Sequence, residues 1–318
     1  MSYVNILITG GAGFIGSNLC RKLLENPFNK VICMDNLITG NTENLKEFES
    51  NKNFQFINFD IAYGIPYIGT INEIYNLASL ASPDKYKAYP IETIMVNFMG
   101  TKNMLDLAKI HNAKILLTST SEVYGDPLVH PQHENYYGNV NTVGERSCYD
   151  ESKRLAETIT YEYNKLYGLD TKIVRIFNTF GPNMSVHDGR VITNFLHKIK
   201  LNESIEIYGT GEQTRSFCYV DDMVDGLIKM MNSSEKGPIN LGNPDCEFSL
   251  NELVFVLEKI YSEKLNVLYL PPTENDPQCR KPVIDLANRL NWYPCINLEE
   301  GLRKMIRCEP HKWKPLIL

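Results

Sequence analysis

An apolar run, Tyr3-Val-Asn-Ile-Leu-Ile-Thr9, leads straight into Gly10-Gly-Ala-Gly13-Phe14-Ile15-Gly16, and Ser17 to Leu24 follows as a helix with Ile15, Leu19, Leu23 and Leu24 on one stripe. Few folds accept a strand, a glycine turn and a helix in that order. Glycine at these spacings permits a tight turn, lets the backbone approach a pyrophosphate and lets the helix pack on its strand, while the N–H groups of the helix start face an anion. A glycine pattern alone also fits an ordinary loop, but the context agrees with a nucleotide site. A second apolar run, Lys30-Val-Ile-Cys-Met-Asp35, ends in a carboxylate 19 positions after Gly16, where it can accept both hydroxyls of an adenosine ribose. No arginine follows Asp35 closely, so a 2′-phosphate would be repelled and NAD is expected rather than NADP.

The rest of the chain supports a large globular protein. Its 318 residues suffice for one large domain or two modest ones, with 43% hydrophobic and 22% charged residues. A net charge of −6 argues against nucleic acid, and it requires a local basic cluster for any anionic substrate. No stretch of 18 apolar residues exists, so no membrane association is expected. The first strand begins almost at once, which leaves no room for a signal peptide and gives the expectation of a cytoplasmic protein. The eight cysteines, at 20, 33, 148, 218, 246, 279, 295 and 308, form no CxxC pair. They read as reduced core residues, with neither a disulfide framework nor a metal site expected.

Further along, Phe54 to Asp60 alternates toward a third strand and Ile71 to Ala78 forms a fourth, with Asp60 and Ile61 placed to border an adenine. Pro90 to Ile110 reads as one long helix, and Ala113 to Ser119 as a buried strand that runs into the polar loop Thr120-Ser-Glu-Val-Tyr-Gly125. In doubly wound sheets the chemistry sits at such strand ends. A helix over Tyr149 to Tyr167 and a strand over Thr171 to Phe177 complete the alternation of a parallel, doubly wound α/β sheet of the Rossmann type. Residues 1–180 are thus expected to bind NAD. Residues 181–318 are expected to form a smaller C-terminal α/β substrate-binding domain, of which roughly 216–243 returns to the first through Pro238-Ile-Asn-Leu-Gly242. Within that part a helix is expected near Ile192 to Lys200, with strands at Ser204 to Tyr208 and Arg215 to Tyr219. Asp221-Asp222 reads as the N-cap of a further helix.

Tyr149 and Lys153 stand four apart at the start of a helix, so both side chains project from one face. On most helices such a pair is only a solvated surface pair. After a nucleotide-binding unit it suggests an acid–base couple, because an ammonium beside the phenol and a positive nicotinamide ring would favour the phenolate.

These features together resemble the extended short-chain dehydrogenase/reductase family and, within it, the UDP-glucuronate decarboxylases that make UDP-xylose. The resemblance runs from about Val4 to Ile306. It is densest at Thr9 to Gly16, Ser82-Pro-Asp-Lys-Tyr86, Ser119 to Pro127, Cys148 to Arg154, Arg175 to Pro182, Asp188-Gly-Arg-Val191, Gln213-Thr-Arg215 and Asp276-Pro-Gln-Cys-Arg-Lys-Pro282.

The resemblance implies roles. Tyr149 would be the base at the sugar C4 hydroxyl, Lys153 its electrostatic partner and a ribose ligand, and Thr120 a guide for the same hydroxyl. Glu122 would sit near C5 and C6, with Ser121 beside it, and Arg280 would approach the sugar carboxylate. Asn178, Arg190, Tyr208 and Arg215 would hold the uridine diphosphate, with Tyr86 and Val191 also on the substrate side. The cofactor set adds Asn36, Leu77 and Asn97 to Gly10, Gly13, Phe14, Ile15, Gly16, Asp35, Asp60 and Ile61. Plain structural roles also fit some of these: a loop carboxylate for Glu122, a surface ion pair for Arg215.

Three positions depart from the family pattern: Leu80 for the common Pro, Asn183 after Gly-Pro for the usual Arg, and Val283 after Lys-Pro for an acidic residue. Within the family the rivals are a 4,6-dehydratase and a UDP-glucuronate 4-epimerase; outside enzymes, an NAD-binding sensor. The resembling dehydratases place an Asp acid where this chain has Ser121, whereas the epimerase is excluded less firmly. A homodimer is expected, since the helices at Pro90 to Ile110 and Tyr149 to Tyr167 carry apolar residues on more than one face and the family pairs them across a two-fold axis.

Overall fold

The computed structural model describes residues 3–65, 68–272 and 279–316. Six strands come first: Val4–Thr9 (β1), Asn29–Asp35 (β2), Phe54–Asn58 (β3), Glu73–Asn76 (β4), Lys114–Thr120 (β5) and Thr171–Ile176 (β6). Short strands follow at Thr179–Phe180 (β7), Ile205–Tyr208 (β8), Thr214–Ser216 (β9), Cys218–Tyr219 (β10), Ile239–Leu241 (β11), Glu247–Ser249 (β12), Val267–Leu270 (β13) and Cys279–Arg280 (β14). The central sheet has seven strands in the order β11-β6-β5-β4-β1-β2-β3, and all are parallel.

Parallel strands covered on both faces must be apolar on both, and β1 shows why its run is continuous. Ile6 and Ile8 face one core with Leu19 and Cys33, while Leu7 faces the other with Ile32, Met34 and Ile74. The helices that cover the faces are Phe14–Leu24 (α1), Pro83–Ala88 (α2), Pro90–Met95 (α3), Thr101–His111 (α4) and Ser147–Tyr167 (α5). They are followed by Val191–Leu201 (α6), Val220–Met231 (α7), Leu250–Tyr261 (α8), Asp285–Asn288 (α9) and Leu298–Cys308 (α10). The first core continues without a break from Ile6 and Leu19 to Trp292, Leu302 and Trp313.

Three local expectations are corrected. The helix from Pro90 is interrupted by a π turn over Val96–Gly100. Such a turn holds an extra residue and breaks the 3.6 period, which a sequence pattern does not reveal. The strand at Arg215 to Tyr219 is two strands, because the chain changes partner: Ser216 pairs with Glu247 of β12, whereas Cys218 and Tyr219 pair with Thr179 and Phe180 of β7. Asp221-Asp222 does not cap α7. The helix begins earlier, at Val220 after Tyr219, and Asp222 instead accepts from the N–H groups of Cys295 (3.0 Å) and Ile296 (2.9 Å), tying the C-terminal loop to α7.

After β6 the chain builds on the carboxyl side of the sheet. α7 returns to pack on β5, β6 and α1, and β11 joins β6. The remaining elements form small sheets, among them β12-β9-β14, in which β14 runs parallel to β9 and sets Arg280 opposite Arg215. α8 starts from a reciprocal cap between Ser249 and Glu252, which satisfies donors that a helix start leaves open.

Candidate active site

A cavity of about 900 Å³ lies over the carboxyl ends of the strands, where the order reverses between β1 and β4. At one end of it, Gly10 adopts φ +68°, and a Cβ there would stand 2.9 Å from the Ala78 backbone nitrogen. A Cβ on Gly16 would collide with the Gly10 carbonyl. Gly13 precedes α1 without a side-chain cap, so the first turn, Phe14, Ile15 and Gly16, keeps its N–H groups for an anion. Asp35 ends β2 with Oδ1 accepting from Leu37 N–H (2.8 Å) and Oδ2 from Ala12 N–H (3.0 Å). Burial raises its pKa, these two N–H groups oppose the rise, and each oxygen can still accept a second bond.

Asn36 Nδ2 donates to Asp60 Oδ2 at 3.0 Å, and Asp60 caps a 3₁₀ turn that starts at Ile61. Leu77 lines the wall beside them. Residues 36–44 include no lysine or arginine. A glycine cradle, a free helix start and a ribose-ready carboxylate fit NAD and disfavour a 2′-phosphate. Asn97 is placed elsewhere: it is buried in the π turn, does not line the cavity, and its Nδ2 donates to Ser152 Oγ at 2.9 Å.

At the other end, β5 delivers Thr120 and the 3₁₀ turn Ser121–Tyr124, while α5 delivers Tyr149 and Lys153. The stretch read as a polar loop is thus an ordered turn, and Thr120 Oγ1 accepts from Glu122 N–H at 3.2 Å. Both Tyr149 and Lys153 are buried. Burial pushes the Tyr149 phenol up to about 12, against the pull of the Thr120 hydroxyl and the Arg190 guanidinium. Burial also brings Lys153 down to about 8, with Glu157 opposing. Lys153 Nζ donates to Thr118 O at 2.9 Å, which fixes the ammonium beneath the end of β5. Tyr86, from α2, stacks on Tyr149 with ring centroids 5.2 Å apart and planes 9° from parallel.

Glu122 enters a cluster of arginines. Its Oε2 accepts from Arg280 Nη2 at 3.1 Å and from Arg146 Nη2. Burial raises the Glu122 pKa, but the guanidiniums of Arg280, Arg146 and Arg215 outweigh burial and hold it below the usual carboxylate range. Arg280 is itself buried and also donates Nη1 to Ser121 O at 2.9 Å. Along the remaining wall stand Asn178, Arg190, Val191 and the half-exposed Tyr208. Arg190 Nη2 donates to Ala81 O at 3.1 Å, and Val191 opens α6.

A sequence profile of the NAD dependent epimerase/dehydratase family matches residues 6–242. The chain belongs to that family. Within this family, UDP-glucuronic acid decarboxylase 3 of Arabidopsis thaliana is 49% identical over 303 residues, covering 95% of this chain and 88% of its own. UDP-glucuronic acid decarboxylase 1 of Danio rerio is 46% identical over 303 residues, 95% of this chain and 72% of its own. Among solved structures, UDP-glucuronic acid 4-epimerase from Bacillus cereus, in complex with UDP-glucuronic acid and NAD, superposes with a TM-score of 0.86. The two are 26% identical, over 98% of this chain and 100% of that one.

Arg146 escaped the sequence reading. It precedes the helix by one residue, and its partner Glu122 lies 24 positions away, so no short motif joins them. Of the departures from the family pattern, Leu80 is buried in the cavity wall, and Val283 donates its N–H to Gln132 O at 2.8 Å while its carbonyl accepts from Asn240 Nδ2 at 3.1 Å. Asn183 adopts φ +72° and donates Nδ2 to Ser17 Oγ at 2.9 Å; asparagine tolerates that left-handed backbone better than most residues. The Asp276-Pro-Gln part of the last motif lies outside the described residues.

Proposed function

We propose that this protein decarboxylates UDP-glucuronate to UDP-xylose through a 4-keto intermediate, with NAD recycled. The observation that carries the reading is an ionised Glu122 clasped by Arg280 and Arg146 next to the Thr120, Tyr149 and Lys153 constellation. A carboxylate on C5 of the starting sugar does not leave, because the electron pair has nowhere to go. A carbonyl at C4 provides the sink: the pair from the C5–C6 bond becomes an enolate, carbon dioxide departs and C5 is protonated. When bound, NAD supplies a hydride acceptor beside C4, reduced and reoxidised within one turnover, and a ring charge that favours the Tyr149 phenolate.

The chain's own groups do the rest. Tyr149 takes the C4 hydroxyl proton, Thr120 orients that hydroxyl, and Lys153 stabilises the phenolate and holds a ribose. Arg280 presents a planar fork to the sugar carboxylate and turns the C5–C6 bond toward alignment with the C4 carbonyl. Glu122 manages the proton or water at C5. Ser121 offers no acid to expel a C6 hydroxyl, which separates the site from a dehydratase. Asn178, Arg190, Tyr208 and Arg215 receive the uridine diphosphate.

The rival is a 4-epimerase, which uses the same first oxidation. Incubation of the NAD-loaded protein with UDP-glucuronate, read by product mass and sugar NMR, decides between them. Loss of the mass of carbon dioxide supports the decarboxylase; an unchanged mass with inverted C4 rejects it.

A homodimer is proposed as well. α3 and α5 pack side by side and expose Ile91, Ile94, Met95, Leu155 and Tyr161. A second copy related by a two-fold axis would cover this apolar face with its own.

A further inference from the structure

Three guanidiniums, of Arg146, Arg280 and Arg215, act on the one carboxylate of Glu122. Two of them share a single oxygen of it, Oε2. Arg280, the buried one of the three, gives Nη2 to that oxygen and Nη1 to Ser121 O, so a sugar carboxylate that takes Arg280 takes it from Glu122. Behind Arg146 stands a second carboxylate, Asp150, with its Oδ2 3.8 Å from Arg146 Nε and its Oδ1 buried without a hydrogen-bond partner among the described residues. Burial, then the charge of Glu122, push Asp150 up to about 7, against Arg146 and Arg280. Arg146 therefore sits between two carboxylates, one ionised and one poised to ionise.

The groups that face Asp150 come from four elements. They are Arg146, Tyr149 and Glu151 of its own helix and the turn before it, Glu122 of the turn after β5, Arg280 of β14 and Tyr86 of α2. Elsewhere in the cavity wall, Lys153, brought down to about 8 by burial, can also exchange a proton near neutral pH.

We propose that Arg146 is a positioning residue that sets the preference for a sugar with an anionic C6 group, and that Asp150 controls it by competing for the same guanidinium. When the sugar carboxylate takes Arg280, Glu122 loses one of its two partners. Arg146 keeps it ionised and in place, so each of the two carboxylates retains a guanidinium. A neutral C6 hydroxymethyl group does not draw Arg280 from Glu122 and makes no such demand on Arg146. Ionised Asp150 draws Arg146 away and adds negative charge, so uronate binding weakens as pH rises through neutrality. Conversely, the arriving carboxylate raises the proton affinity of Asp150, and binding takes up protons. The inference rests on the decarboxylase reading for the identity of the sugar, and on the arginine geometry for the rest.

The test is calorimetric titration of the NAD-loaded full chain with UDP-glucuronate and UDP-glucose, in a Tyr149→Phe background that prevents turnover. With Arg146→Gln added, affinity for UDP-glucuronate should fall about 10- to 100-fold while that for UDP-glucose stays within about threefold. Arg146→Lys should restore part of the loss. Titration near pH 7 in buffers of different ionisation heat should show proton uptake with UDP-glucuronate, and Asp150→Asn should abolish most of it. Equal losses for both sugars, or undiminished discrimination, overturn the role of Arg146. If Arg146→Gln does not fold, the Asp150→Asn arm decides: unchanged proton uptake overturns the proposal. A parent that binds both sugars equally would instead contradict the decarboxylase reading itself.

Discussion

A buried phenol held at about 12 and a buried ammonium brought down to about 8 stand one helical turn apart; burial disfavours the charged form of both, so the ring charge of a bound nicotinamide is what would favour the phenolate. Tyr149→Phe removes only the phenolic oxygen, so hydride transfer should fall about 10²- to 10⁴-fold while NAD binding persists. Activity within a factor of two of the parent would assign the base elsewhere. Lys153 makes a prediction for stability. Its folded pKa, about 8, lies below the ordinary 10.5, so its stability contribution is full above 10.5 and is lost as pH falls through 8. At pH 7 the buried charge is a net cost. Lys153→Met should therefore raise stability there by roughly 2 kcal/mol, after the lost bond to Thr118 O is counted, and abolish activity. Melting curves at pH 7 and pH 10 check this: the gain must shrink at the higher pH. Glu122→Gln should permit oxidation at C4 but slow the later steps, so reduced cofactor accumulates on mixing with UDP-glucuronate in stopped-flow absorbance. Release of carbon dioxide at the parental rate would make Glu122 structural. Tyr149 and Lys153 were legible in the sequence because one helix fixes their spacing. Arg146 was not, because its role depends on a side chain from another element.

At the scale of elements, the strand–glycine–helix unit was readable because its constraints are local: β1 must be apolar on both faces, and Gly16 must lack a side chain. A methyl group on Gly16 meets the Gly10 carbonyl, so Gly16→Ala should force the turn open. The expected result is NAD affinity weakened at least about 10-fold and a lower melting temperature, by NAD titration and calorimetry. Unchanged NAD affinity would show that the turn does not hold the cofactor. The large parallel strands were legible for the same reason as β1. The π turn at Val96–Gly100 and the break at Phe217 were not, since each depends on a partner segment rather than on periodicity. Asp222 misled the reading: an acidic residue near a helix start usually serves that helix, but here it serves the loop at Cys295 and Ile296.

The whole molecule brings together what no segment contains. Arg280 meets the carbonyl of Ser121 across 159 positions, and the β9–β14 register aligns it with Arg215. The family resemblance implied that Arg280 and Glu122 approach one sugar and that Arg215 holds its diphosphate; the bond to Ser121 and the register with Arg215 were not legible in the sequence. The exposed face of α3 and α5 predicts twice the 36.4 kDa chain mass in light scattering at micromolar protein, and Ile94→Asp should shift it toward the monomer. A monomeric parent would reject the dimer. In the proposed reaction one site oxidises C4, releases carbon dioxide and returns the same hydride to C4. UDP-glucuronate carrying deuterium at C4 tests this most directly, with the product examined by mass and NMR after turnover with unlabelled NAD. The expected result is UDP-xylose that retains deuterium at C4, one carbon dioxide per product and no net reduction of NAD. A product that keeps its carboxylate, or UDP-xylose that has lost the deuterium, would contradict it.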